Sequence, residues 1–403
     1  MSENAIELLT ELETEAKRFA VAYPPPRMPP GSFRAPHKFN ERLVVALSGM
    51  PVFSELSEKN FFTLSSTAPV NLSNIAGALI ERVIDGVAPS QALHDITELV
   101  TKRSSGIYAL MAVAGVSLNG VVDLEDGVTL MPAKSAPATL ARETLFDLDR
   151  LGHPIFRGTI VTARPPGTAL IVKDHMTVIG TGERDWRKHK ALTDDIASKR
   201  DRALAALALS GADCAPYITS ETSWINHPAY PYSGFGSMGY GTHHGVTPTK
   251  KGDADGTLAK ALYQQFRALS DTDRTVLLRA TERLTRSRSH PLPVDRAIDL
   301  GVVTEMIFLH DQKDQGELRF RTALRAAWLL GENGPDRRVV FNCVKKAYDA
   351  RSTAVHTGNL SNQSLIDNLP RADRYCSDAM RRILASGKLP QNWDALVLEE
   401  DES

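Results

Sequence analysis

The sequence predicts an α+β protein in which a mixed α/β domain precedes an all-α helical bundle. The chain has 403 residues, and single hydrophobic cores stop growing at about 250–300 residues, so we expect more than one domain. Strand-type runs occur before residue 226, and helical spacing dominates after a Gly-, Pro- and Tyr-rich segment. We therefore divide the chain into an N-terminal helix with a Pro-rich arm (1–41), an α+β domain (42–225), a Gly/Tyr/His-rich linker or loop (226–256), a helical bundle (257–398) and an acidic tail (399–403).

The first part of the chain contains both helix and strand patterns. Apolar residues at helical spacing predict helices at 6–20 and 74–84, and a proline-rich stretch follows the first of these. Short apolar runs bounded by turn residues predict strands. These runs lie at 107–116, 121–131, 155–163 and 169–172, and the sequence Glu-Asp-Gly at 125–127 marks a turn.

The C-terminal part predicts an antiparallel bundle of six helices. Their expected ranges are 258–269, 271–288, 293–310, 317–330, 335–355 and 371–385. Asp271 is a candidate N-cap, and Pro293 occupies a first turn. Glycines follow three of the helices, as expected at helix C-termini.

Composition excludes several classes of protein. Lys and Arg number 47 against 48 Asp and Glu, so the whole chain has no nucleic-acid signature. No apolar run approaches the roughly 18 residues of a membrane helix, and the start of the chain is acidic, unlike a signal peptide. Cys214, Cys343 and Cys376 are far apart, which excludes a disulfide framework or zinc ribbon. We expect a cytoplasmic protein with no membrane partner.

Two motifs in the 226–256 segment are weak. Gly234-Phe-Gly-Ser-Met-Gly239 matches a dinucleotide fingerprint by letter, but that motif needs a preceding strand and a following helix. His227, His243, His244 and Cys214 could suggest zinc, which requires three or four ligands on rigid elements. We expect no cofactor and no metal site.

One polar pair in the bundle is informative. Val340, Val344, Ala347 and Arg351 follow one another at four- and three-residue intervals, which places Arg351 on an apolar face. A guanidinium there needs an anion or a wet crevice. His356 lies about 140° further round an ideal helix and roughly 7.5 Å along it. We expect loosening of the last turn to bring the ring beside the guanidinium, because the helix ends near a glycine.

Glu305 is a second polar residue on an apolar stripe, which also contains Val302 and Leu309. An inward carboxylate should be paired, and Arg351 or Arg325 is a natural partner. The three residues Glu305, Arg351 and His356 are also compatible with an interior ion pair and a helix-capping histidine. With an open site, the arginine could hold a phosphate while the histidine moves a proton.

This arrangement resembles the HEPN superfamily, specifically the HEPN domain of ApeA-like bacterial anti-phage defence proteins. The shared hallmark is Arg, four to six residues, then His near the end of a long helix, here Arg351-Ser-Thr-Ala-Val-His356. The helix with Glu305, the segment 317–331 and the segment 337–352 occur in the matching order. The resemblance covers about a quarter of the chain. Ser352 stands where catalytic members often carry Asn, Asp or His, and Thr357 precedes the glycine.

The resemblance implies a metal-independent endoribonuclease toxin that cleaves RNA to a 2′,3′-cyclic phosphate and acts as a homodimer through the bundle. Arg351 would bind the scissile phosphate, and His356 would act as general acid or base. The resemblance also implies supporting roles: Glu305, Ser352, Tyr348 and Asp349 as orienting residues, and Arg325, Lys345 and Lys346 as RNA-binding candidates.

The resemblance also implies a regulatory role for the 42–225 domain, which would respond to a phage-derived trigger during abortive infection. Two alternatives stay open. A non-catalytic HEPN-type module could bind nucleotide, RNA or a protein through the same cleft, and a structural or adaptor protein could act through its N-terminal domain.

Overall fold

A computed structural model describes residues 2–22, 37–62, 67–84, 86–137, 167–229, 252–311 and 316–398. Within these ranges the protein is mixed α+β, as predicted, and its C-terminal half is helical. None of the helices in these ranges is both long and apolar enough to cross a membrane.

The N-terminal helices pack around a core of their own. They are α1 (Ser2–Ala22), α2 (His37–Ser48), α3 (Pro51–Ser54), α4 (Leu72–Ile84) and α5 (Pro89–Lys102). Leu9, Leu47 and Leu79 are among the buried side chains of this core. The predicted helices at 6–20 and 74–84 correspond to α1 and α4, whereas α2 and α5 were not predicted.

A five-stranded antiparallel sheet follows in the chain. Its strands are β3 (Ser104–Ala114), β5 (Val122–Glu125), β6 (Val128–Pro132), β7 (Thr168–Thr177) and β9 (Tyr217–Asn226), in the spatial order β5-β6-β7-β3-β9. These strands confirm the predicted runs at 107–116, 121–131 and 169–172. The predicted run at 155–163 lies outside the described residues.

Short strands complete the β-structure of the described residues. β1 (Asn60–Phe62), β2 (Thr67–Pro69) and β8 (Ile179–Gly180) form a small antiparallel sheet. β4 (Val116–Ser117) pairs in parallel with β10 (Gly252–Asp253). The predicted turn between β5 and β6 requires its glycine, because Gly127 has a φ of +75° and a Cβ would lie 2.3 Å from the Lys173 carbonyl oxygen.

A long helix, α6 (Gly182–Leu209), lies against one face of the five-stranded sheet. Alternate residues of β3, such as Met111 and Val113, share one buried core with Leu207 of α6, while Leu110 and Ala112 belong to a smaller cluster. This pattern follows from the two-residue period of a strand, which points neighbouring side chains to opposite faces. No helix was predicted at this position.

Eight helices form the described C-terminal part. They are α7 (Gly256–Ala268), α8 (Asp271–Ser289), α9 (Pro293–Phe308), α10 (Leu318–Leu330), α11 (Gly334–Thr357), α12 (Gln363–Ile366), α13 (Leu369–Ser386) and α14 (Trp393–Leu398). The six predicted helices correspond to α7–α11 and α13. One cap differs from the prediction, because the Ser270 hydroxyl, not Asp271, accepts the hydrogen bond that caps α8, from Asp273 N at 3.2 Å.

The sheet, α6 and the C-terminal helices share one continuous core. Arg288 of α8 ties them together with a side chain that is only 4% exposed. Its guanidinium donates to Asp373 and Ser377 of α13 and to the carbonyls of Ala208 and Cys214. The domain boundary at 226–256 stays a prediction, because residues 230–251 lie outside the described part.

Candidate active site

Arg351 lies at the edge of the apolar face of α11. Buried positions on this helix run from Val344 and Ala347 to Ala350 and Ala354, because 3.6 residues per turn shift the face as the helix advances. The Arg351 side chain is consequently 29% exposed and half-buried. We therefore correct the prediction that Arg351 lies on the apolar face: it lies at the border of that face.

Gly301 of α9 makes room for the Arg351 side chain. A Cβ at Gly301 would lie 2.2 Å from Cγ and 2.6 Å from Cβ of Arg351. Carbon atoms normally approach no closer than about 3.5 Å, so only glycine permits this crossing of α9 and α11. The aliphatic part of Arg351 therefore packs directly on the backbone of α9.

The guanidinium of Arg351 reaches Glu305, which lies one turn after Gly301 on the same helix. The distance from Nη2 to the Glu305 Oε1 is 3.5 Å, and the Glu305 side chain is 28% exposed. The Nε of Arg351 is buried and has no hydrogen-bond partner among the described residues. A cation that is held by one carboxylate and remains partly open to solvent can still accept an anion.

His356 lies in the last turn of α11 and is exposed. The helix stays regular to its end, where Gly358 N donates to the Ala354 carbonyl at 3.0 Å and Gly358 turns left-handed at φ +65°. The loosening that we expected therefore does not occur. Within one chain the imidazole stays about 140° around the helix from Arg351.

The orienting residues that we predicted have different surroundings. Asp349 forms an ion pair with Arg319 of α10, and this partner reduces its freedom to orient Arg351. Tyr348 and Ser352 are half-buried on α11. Of the predicted orienting residues, Glu305 is the one that the structure pairs with Arg351.

The predicted RNA-binding cations separate into two groups. Lys346 donates to the Ser364 hydroxyl at 3.2 Å and is exposed, while the Lys345 ammonium lies 5.7 Å from the centroid of the Phe341 ring. Both lie on the helix that carries Arg351.

Arg325 is held inside the structure. Its guanidinium pairs with Asp311 at 2.7 Å, donates to the Phe308 carbonyl at 2.7 Å and lies 5.1 Å from the centroid of the Trp393 ring. These contacts occupy the side chain, which is 12% exposed. Arg325 therefore stabilises the packing of α9, α10 and α14, and Glu305 pairs with Arg351 instead.

The residues considered for zinc do not form a site in the described ranges. No group of three or more His, Cys, Asp and Glu side chains there could hold a metal ion. His227 accepts a hydrogen bond from Ala229 N at 3.1 Å, and burial lowers the pKa of its ring. Burial raises the pKa of the Cys214 thiol to about 11. His243 and His244 lie outside the described residues, as does the glycine-rich motif at 234–239.

A charged cluster where α6 meets the sheet was not predicted. Lys199 lies 2.9 Å from Asp174 of β7 and 2.7 Å from Asp195. Burial alone would lower the pKa of Lys199, but the hydrogen bonds to Asp195 and Asp174 raise it overall. Because the two carboxylates compensate the charge of the buried ammonium, this cluster anchors α6 on the sheet.

Comparison with known proteins adds no family to these observations. No family model, no curated protein and no solved structure matches the chain. The site itself is a half-open arginine on one helix, paired with a glutamate on a second helix, with an exposed histidine at the end of the first. Such a set can bind an anionic group and exchange a proton.

Proposed function

We propose that the protein is a regulated, metal-independent endoribonuclease of the HEPN type that acts in anti-phage defence or abortive infection. One observation carries the proposal. Arg351 crosses α9 at Gly301, and its guanidinium stays partly exposed beside Glu305. A guanidinium that is fixed in this way can bind a phosphate in a defined position. The resemblance of the Arg351 to His356 segment adds the reaction class.

The chemistry follows from the two residue types. Arg351 would hold the non-bridging oxygens of the scissile phosphate and stabilise the charge that develops on them. His356 would accept the proton of the ribose 2′-hydroxyl, whose oxygen then attacks phosphorus. The P–O5′ bond breaks, the 5′-oxygen takes up a proton, and the products are a 2′,3′-cyclic phosphate and a 5′-hydroxyl.

Two copies of the chain would complete the site. Within one chain His356 lies on another side of α11 from the Arg351 guanidinium. The reaction needs one histidine as base and a second histidine as acid, and the second would come from another copy of the chain. Val355, beside His356, is 50% exposed and offers an apolar contact for pairing. A homodimer through the bundle would bring two Arg351 and two His356 side chains into one cleft, with the α+β part sensing the trigger.

The test is cleavage of a defined RNA by the purified protein, with product ends identified by mass spectrometry. We expect cleavage to survive excess EDTA, to require a ribose at the cut position, and to disappear in Arg351→Ala and His356→Ala. Arg338→Ala is the matched control, since Arg338 is exposed near the start of the same helix. Cleavage of DNA, or activity that EDTA abolishes and Mg²⁺ restores, would show the assignment to be wrong.

A non-catalytic HEPN-type module is the second candidate, and the exposure of His356 favours it. Such a module would bind nucleotide, RNA or a protein partner through the Arg351 surface and would tolerate loss of the imidazole. RNA binding that His356→Ala leaves unchanged and Arg351→Ala weakens, without any cleavage by the wild type, identifies this function. Light scattering checks the dimer in either case.

A further inference from the structure

A cavity lies between the second half of α6, the start of β9 and α8, apart from the Arg351 site. Its volume is about 420 Å³, which falls within the roughly 300–1,000 Å³ of pockets that bind small molecules. The two walls come from segments separated by about seventy residues, because Leu204 belongs to α6 and Leu278 to α8. Nothing in the proposed cleavage reaction uses this cavity.

One part of the lining is apolar and includes an aromatic ring. Leu204, Ile218 and Leu278 contribute aliphatic surface, and Tyr217 contributes its ring. Apolar and aromatic surfaces of this kind pack against a flat ring system, and an aromatic ring can stack on it. This part of the cavity therefore suits a planar, largely apolar group.

The other part of the lining is rich in arginine. Arg200, Arg279 and Arg286 line the cavity. Arg279 is exposed, and no ion pair joins it to a carboxylate of the described residues. Guanidinium groups bind phosphate through paired N–H donors. Arg200 Nε already pairs with Asp201 at 2.8 Å, so Arg279 and Arg286 are the groups that favour an anionic ligand.

Arg286 keeps capacity for an anion because its partner is shared. Asp299, which is buried, lies 3.5 Å from Nε of Arg286, 3.0 Å from Nη1 of Arg283 and 3.1 Å from Nε2 of His290. One carboxylate is thus shared by two guanidinium groups and an imidazole, so Asp299 does not pair with Arg286 alone. The Nε of Arg286 is buried without a hydrogen-bond partner among the described residues.

We propose that this cavity binds a nucleotide, either free or at the end of an RNA strand. The arginines would hold its phosphate, and Tyr217 with the aliphatic residues would pack on its base. Asp201, whose carboxylate pairs with Arg200 Nε at 2.8 Å, also lines the cavity, and a carboxylate can accept further hydrogen bonds from ribose hydroxyls or base amino groups. The volume holds about one nucleotide.

Isothermal titration calorimetry tests the proposal with AMP, GMP, CMP and UMP as probes. We expect at least one of them to bind, and adenosine and inorganic phosphate to bind more weakly. Arg279→Gln should raise the Kd about tenfold or more, as expected for loss of a charge-assisted hydrogen bond. Arg267→Gln is the matched control, since Arg267 is exposed on α7 and does not line the cavity, and its Kd should stay within about twofold.

A pentaadenylate titration separates the two sources of the ligand. This titration uses the Arg351→Ala chain, so that neither cleavage nor RNA binding at the Arg351 site contributes to the result. Tighter binding of pentaadenylate than of AMP identifies a strand end, and equal or weaker binding identifies a free nucleotide. The proposal would be overturned if none of the four nucleotides gave a heat of binding at millimolar concentration. Equal nucleotide affinities of the Arg279→Gln and Arg267→Gln chains would also overturn it. The result does not depend on whether the protein cleaves RNA.

Discussion

Replacement of Gly301 by alanine tests how the Arg351 site is built. Gly301 is buried in the middle of α9, and an added Cβ would meet Arg351 Cγ at 2.2 Å and Arg351 Cβ at 2.6 Å. Rotation of the arginine side chain can remove the first contact. It cannot remove the second, because the backbone of α11 determines the position of Cβ. The two helices must therefore separate by about 1 Å to reach an ordinary carbon–carbon distance.

The magnitude follows from two opposing effects. Overpacking of a well-packed contact costs about 1–3 kcal/mol. Alanine is favoured over glycine inside a helix by about 0.5–1 kcal/mol. The difference is a net loss in the free energy of unfolding that is centred near about 1 kcal/mol and reaches at most about 2.5 kcal/mol. We also expect Gly301→Ala to displace Arg351 from Glu305 and to abolish the RNA cleavage that we propose.

Urea unfolding followed by circular dichroism measures this change, and a second background isolates the clash. In an Arg351→Gly chain the contacting atoms are gone, so Gly301→Ala should raise the free energy of unfolding by about 0.5–1 kcal/mol. The sign of the effect reverses between the two backgrounds, and the m-value stays constant if the unfolded state is unchanged.

An unchanged or higher urea midpoint for Gly301→Ala in the wild-type background would refute the close crossing of α9 and α11. The same effect in both backgrounds would show that the cost of alanine does not come from Arg351. Full RNA cleavage by Gly301→Ala would show that the exact position of the guanidinium does not matter for the reaction.

Three further predictions concern the scaffold. Arg288→Ala should lower the free energy of unfolding by about 3–5 kcal/mol, since Asp373 would stay buried without its cation, and an unchanged urea midpoint would contradict this. Burial lowers the pKa of His189 from its ordinary value of 6.5, so the unfolded chain binds this proton at a higher pH than the folded one. Stability should therefore fall as pH drops below about 6.5, until the folded-state pKa is passed. Thermal melts across this range should show a flatter profile for His189→Gln, and identical profiles would speak against the shift. The thiols should react with Ellman's reagent only after unfolding in urea, and rapid labelling of the native protein would be inconsistent with their burial. Burial raises the pKa of each of the three, to about 11 for Cys214 and Cys343 and well above its ordinary value for Cys376.

Local signals in the sequence predicted the C-terminal helices well. Helical periodicity, Pro293 in a first turn and glycines such as Gly358 and Gly387 all act within a few residues of the helix that they define. Two-residue alternation and turn residues predicted much of the sheet for the same reason. The helix α6 was missed because its central run of charged residues hides the apolar face that packs on the sheet.

Part of the site could also be found from the sequence. An arginine beside an apolar face, a glutamate on an apolar stripe and a histidine near a helix end are visible as residue types in a pattern. The glycine four residues before Glu305 was visible too, but its role was not, because nothing in the pattern of α9 says which side chain crosses it.

The tertiary structure alone decided how these residues meet. The sequence allowed Arg351 or Arg325 as the partner of Glu305, and the crossing of α9 and α11 selects Arg351, while Asp311 holds Arg325. The regular end of α11 leaves His356 exposed. The physical reason is range: caps and periodicity act over a few residues, whereas these contacts join segments far apart in the chain whose relative position depends on the packing of the whole core.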